Sequence, residues 1–245
     1  MRVRQWDLGV VDTVYGRGDG VMARSVSALA DGFAHIDPLL VDPLLVDPLL
    51  VDPLVGDPML GHTRDLALPI GCPTSYPKPQ ATWCATPAPP RGDDPDSAWQ
   101  RTLRWWRAAP EALLEPWAGG SVATIEDVFA LRREIPQLRL CVDTGHVADV
   151  GGNIEEFLSL ADHVQLRQGC VGNTQLHVDD TAGTIDFDEV LNTLDRIGYR
   201  GRLSIEYFDL PERGWGLEDP RGWALDLAHR IADNSRGFSA ILGQC

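Results

Sequence analysis

Nowhere in the chain does an apolar run approach the ~20 residues that span a bilayer, so no membrane segment is expected. Basic residues are scarce: 21 Lys and Arg stand against 36 Asp and Glu, a formal net charge of −15. A surface of that sign repels a phosphate backbone, which removes nucleic acid from the expected partners. The densest basic cluster, Arg101 to Arg107, is interleaved with Trp105 and Trp106 at helical spacing and reads as a solvated helix face. Cysteine is sparse as well. Cys72, Cys84, Cys141, Cys170 and Cys245 are odd in number, widely spread and never paired at zinc-ribbon or redox spacing. The first residues, Met1 to Asp7, run into Trp6 and Asp7 rather than into an apolar signal core, so a reducing cytoplasm is the expected location.

What is present suits a globular α/β protein. At 245 residues, 44% hydrophobic and 23% charged, the chain can bury one sizeable core, and a single domain over 1–245 is expected. Val3 to Val14 reads as a first strand, a helix starts near Val21, and Phe33 to Ile36 reads as a second strand. An insertion at 37–58 follows, in which Asp37-Pro38 recurs every five residues through Asp57-Pro58 with Leu-Leu-Val or a close variant between. Each proline lacks a donor and pushes the preceding aspartate from helical angles, so the spacing predicts a segmented loop. Either it is an apolar arm meeting another subunit, or a tandem expansion in a tolerated loop. Leu66 to Ile70 reads as a third strand. Gly71 to Pro95 is a proline-rich loop, in which Trp83 or Tyr76 would stack on a substrate.

The second half repeats one pattern, an apolar strand ending in a polar residue. Ala112 to Glu115 ends in Glu115, Leu138 to Asp143 runs into a Thr-Gly-His loop carrying His146, His163 to Arg167 puts Gln165 and Arg167 on one face, and Gly201 to Phe208 carries Glu206. Helices follow from Thr124, Asn153, Asp186 and Asp219-Pro220. As neighbours in a parallel sheet, these strands would bring Glu115, Asp143, Gln165 and Glu206 to one point. Three crowded carboxylates repel, and a divalent cation is the simplest neutraliser. Four oxygen donors favour Mn²⁺ or Mg²⁺ over Zn²⁺.

The segments ALLEPW, LCVDTGH, HVQLRQ and GTIDFDEVLNTLDRIGYRGRLSIEYF, within Ala112 to Phe208, resemble the xylose isomerase-like (β/α)₈ TIM barrels, which include sugar epimerases, hydroxypyruvate isomerase and the endonuclease IV branch. The resemblance implies that Glu115, Asp143, Gln165 and Glu206 bind one divalent metal. It also implies that Glu115 and Glu206 exchange a proton with adjacent carbons of a keto sugar. His146 would then bond a substrate oxygen and Arg167 an anionic group, with His177 lining the pocket or serving only its loop. Two departures stand out. Gln165 replaces a common histidine, as in the hydroxypyruvate isomerase type, and Gln175-Leu176-His177 lacks the aspartate of the endonuclease branch, so a three-zinc phosphodiesterase is not expected. Only three strands are read before Glu115, so the barrel is expected to be incomplete or irregular in its first half. Oligomerisation through the repeat would cover the resulting sheet edges. The leading expectation is a metal-dependent isomerase or epimerase of a small sugar, sugar phosphate or hydroxy-keto acid. A lyase or dehydratase of the same chemistry and a non-catalytic scaffold are the alternatives.

Overall fold

The structure, a computed structural model, describes residues 1–16, 21–37, 39–40, 61–62, 85–88, 91, 94–108, 113–211 and 215–242. The strand expected at Leu66 to Ile70, Trp83 and Tyr76, and the Asp-Pro repeat beyond Leu40 lie outside these residues. Among the described residues, seven strands run parallel: β1 (Trp6–Val11), β2 (Ile36–Asp37), β3 (Ala85–Pro87), β4 (Leu113–Glu115), β5 (Arg139–Asp143), β6 (His163–Leu166) and β7 (Leu203–Ile205). Their order is β3-β4-β5-β6-β7-β1-β2. The last strand pairs with the first, Ser204 opposite Gly9, so the sheet curls as the wall of a TIM barrel. A two-residue strand, Arg2–Val3, turns back antiparallel on β1.

The face of the sheet turned to the helices is apolar, with Leu8, Val10, Leu114, Leu140, Val142, Val164, Leu166, Leu203 and Ile205 in register and fully buried, while the alternate residues Gly9, Cys141, Gln165 and Ser204 share the opposite face. Over them lie α1 (Val21–Ala30), α2 (Pro95–Ala108), α3 (Ile125–Glu134), α4 (Thr144–Asp149), α5 (Ile154–Leu158), α6 (Phe187–Arg196) and α7 (Pro220–Leu242). Helix starts follow the capping residues. Thr124 and Asp127 close a reciprocal capping box on α3, and the Asp186 carboxylate accepts the Asp188 and Glu189 backbone N–H groups of α6. Pro220 takes the first position of α7, where its missing N–H is harmless.

Three local expectations are corrected. Part of the proline-rich loop forms β3, parallel to β4, because Pro87 sits at the strand's last position, where a missing donor breaks no interior ladder. The loop expected after Asp143 is helix α4, since the Asp143 carboxylate accepts the His146 backbone N–H and caps it at once. Asp37, expected to open the repeat loop, belongs to β2, with its carboxylate turned toward β6 and β7.

Candidate active site

Five side chains meet beyond the carboxyl ends of β4 to β7. Glu115 and Asp143 are the last residues of β4 and β5, His146 lies in the first turn of α4, and Arg167 and Glu206 directly follow β6 and β7. All are buried, Arg167 and Glu206 completely. Ligating atoms of Glu115, Asp143 and His146 lie within 4.8 Å of one another. His146 Nε2 is 3.5 Å from Glu115 Oε1, while its Nδ1 is 3.0 Å from Thr174 Oγ, which fixes the ring. Arg167 Nη2 lies 2.8 Å from Asp143 Oδ2 and 3.7 Å from Glu206 Oε2, and its guanidinium stacks 4.9 Å from the centre of the Phe208 ring.

Arg167 therefore stands inside the carboxylate group as its resident cation, where the sequence suggested a contact to an anionic substrate. The hydroxyl of Thr144 holds its backbone, donating to Arg167 O at 2.8 Å and accepting from Arg167 N at 2.9 Å. Gln165 faces the same interior, where its Oε1 accepts the Cys141 thiol at 3.1 Å. His177 is drawn to α7: its Nε2 is 3.0 Å from Asp226 Oδ2, and its ring meets Trp223 edge-on. Trp83 lies outside the described residues.

Burial separates the protonation states. Burial acts to raise the pKa of Asp143, but Arg167 and His146 outweigh it, and the carboxyl is held below its usual range. Glu206 is pushed well above the usual range by burial and by the Glu115 charge, with a hydrogen bond to Asp143 adding to the rise. Burial, then Arg167, lowers His146. The shifts run apart: the Asp143 carboxyl is held toward its ionised form, the Glu206 carboxyl toward its protonated form and His146 toward the neutral imidazole, the kind of divided assignment that acid and base roles need.

An aromatic wall flanks this group and was missed in the sequence. Trp215 lies 6.2 Å from His146, stacks on Phe208 at 5.8 Å and meets Trp117 edge-on at 6.5 Å. Its backbone pairs with Leu210, and Gln175 Nε2 donates to its carbonyl at 3.2 Å. Single tryptophans in loops carry no periodicity, so only the GWG spacing after Phe208 could have drawn notice.

The residues present fit a divalent ion. Two carboxylates and an imidazole nitrogen converge in a buried site, a donor set that a divalent cation suits.

A protein-family model described as xylose isomerase-like TIM barrel matches residues 78–230. Among solved structures, an L-ribulose 3-epimerase superposes with a TM-score of 0.59 at 14% identity, covering 96% of this chain and 97% of that one. A 3-keto-D-glucoside 4-epimerase from E. coli gives 0.56 at 13% identity, over 93% and 99%. An AP endonuclease, family 2, from Brucella melitensis gives 0.54 at 15% identity, over 83% and 93%. No curated protein matches by sequence. At these identities the superpositions speak for the fold alone, and with the family match over more than half the chain they lead to one conclusion: the chain belongs to the xylose isomerase-like TIM barrel family.

Proposed function

We propose that the protein is a metal-dependent isomerase or epimerase of a small sugar or hydroxy-keto acid, working through an enediolate. The observation that carries this is the buried meeting of Glu115, Asp143 and His146 beside Glu206, whose protonation differs from that of Asp143. Glu115, Asp143 and His146 would hold the ion, with the Gln165 amide oxygen, which already accepts the Cys141 thiol, as a further oxygen donor. With one nitrogen among the donors, Mn²⁺ suits the set better than Mg²⁺, which prefers oxygen alone. The ion's contribution is to polarise a carbonyl and its neighbouring hydroxyl.

The chain's own residues do the rest. Glu206, whose carboxyl is shifted toward its protonated form, can return a proton to carbon, and Glu115 serves as the partnering base. Arg167 fixes the Asp143 carboxylate, and Thr174 fixes His146 for a substrate oxygen. Trp117, Trp215 and Phe208 offer faces on which the C–H side of a sugar can stack. Epimerases among the structural neighbours act on ketoses and keto-glucosides, which makes such sugars the first compounds to try.

The test is solvent deuterium exchange into a panel of ketoses, followed by NMR with Mn²⁺ added to purified protein. Exchange at carbon is expected, with Glu206→Gln slowing it about 10²- to 10⁴-fold. If no sugar exchanges, or the variant exchanges as fast as the parent, the reading fails.

A further inference from the structure

At the opposite end of the barrel, where the strands begin, lies a cavity of about 310 Å³ lined by Gln5, Asp7, His35, Arg200 and Arg202, among others. Each of these residues opens or precedes a strand: Gln5 and Asp7 at β1, His35 before β2, and the two arginines before β7. In TIM barrels this face ordinarily serves stability, and catalysis uses the other. Here it holds two guanidinium groups that, among the described residues, form no ion pair with a carboxylate. Arg200 Nη1 donates to the Gln5 amide oxygen at 3.2 Å. Among the described residues, Arg202 Nη1 is buried and has no hydrogen-bond partner, an unusual state for a charged donor. The Asp7 carboxylate, the one acid lining the cavity, lies 3.6 Å from Arg2 and so is offset by a third arginine.

The rest of the wall is prepared for this. Gly201, between the two arginines, leaves no room for a Cβ, which would lie 2.2 Å from the Tyr199 hydroxyl, so the segment is pressed against the barrel with Arg200 and Arg202 among the residues that line the cavity. The His35 ring closes the cavity from inside and lies over Gly9, where a Cβ would sit 2.2 Å from the imidazole. Ser204 gives its one hydroxyl proton to Asp37, so His35 Nε2, 3.1 Å from Ser204 Oγ, carries hydrogen and donates. The ring is thus a fixed floor that brings no negative charge to the cavity.

We propose that this cavity is a second binding site, for a small phosphate-type oxyanion held by Arg202 and Arg200. Forked N–H donors match the oxygens of a phosphate, and an acidic protein draws such an ion only where cations are gathered. The site is independent of the proposed catalysis and would serve regulation or retention of a phosphorylated compound, since the carboxylate cluster lies at the other mouth.

Calorimetric titration of the full chain with inorganic phosphate and with glycerol 3-phosphate, at fixed ionic strength and after EDTA treatment, tests this. Saturable binding at one site is expected, surviving EDTA and weakened at least tenfold by Arg202→Gln, with Arg202→Lys intermediate. Whichever compound binds more tightly identifies the source of the anion, and both must depend on Arg202. Should Arg202→Gln fail to fold, Arg200→Gln, at an exposed position, is expected to weaken binding several-fold. Absence of saturation, loss with EDTA, or affinity unchanged in folded arginine variants would overturn the proposal.

Discussion

At the carboxyl ends of the strands, three carboxylates surround one guanidinium and are shut from water; at the amino ends, two guanidinium groups line a cavity around a neutral histidine. Both arrangements arise from one sheet, whose alternating side chains send every second residue inward. The difference lies in hydration. Arg200 at the open end is exposed and keeps its water, whereas the closed mouth must find its counter-charge within the chain. Arg167 fills that role, so its worth should far exceed that of Arg200.

The largest effect expected from breaking the comparison is therefore at Arg167. Arg167→Met keeps much of the volume and removes the cation, leaving Asp143 and Glu206 to face each other. A loss of about 3–5 kcal/mol is expected at pH 7 by urea unfolding, the usual cost of stranding buried charge. Arg167 holds the Asp143 pKa down, so its stabilisation is present above the unfolded value and is lost as pH falls through the folded one. The gap between parent and variant should accordingly narrow in strong acid. An equal gap at all pH values would mean that packing on Phe208, not charge, is what Arg167 supplies.

The next largest concerns His35. Burial foremost lowers its pKa to about 4, with Arg202 and His163 acting the same way. A lowered histidine contributes stability that is present above its unfolded value of about 6.5 and is lost as pH falls through about 4, because only the unfolded chain takes up the proton in between. The window is worth about 3 kcal/mol. Unfolding free energies at pH 7 and pH 4 should show the parent losing that much more than His35→Gln. Parallel losses would place the His35 pKa near its ordinary value and so open the closed floor described for the second cavity.

How far the sequence foretold these two ends follows from the same contrast. The strand tips were legible because an apolar run ending in Glu115, Asp143 or Glu206 is a local signal, and several of them in succession suggest one sheet edge. The capping residues Thr124 and Asp186 were legible for the same reason. The inner network of His35, Asp37, His163 and Ser204 was not. Its partners lie far apart in the chain, 169 positions for His35 and Ser204, and Asp37 was masked by its likeness to the aspartates of the repeat. Arg167 was seen but given a different part, since alternation says only that it faces inward. That it meets Asp143 at 2.8 Å depends on how far α4 and the strand after it close together.

The smallest expected effect is the sharpest test of the closed mouth. If Glu206 carries a proton at neutral pH, then Glu206→Gln exchanges one neutral group for another of the same shape, and metal-free protein should change by no more than about 1 kcal/mol at pH 7. The two should diverge on the alkaline side. A carboxyl raised in the folded state adds stability that is complete below its unfolded value and is lost as pH rises through the folded one. Glutamine has no proton to lose, so the variant should overtake the parent as pH increases, and saturating Mn²⁺ should erase that advantage by stabilising the ionised parent. A variant strongly destabilised at pH 7 without metal would show that Glu206 is already ionised there, and that Arg167 alone balances all three carboxylates.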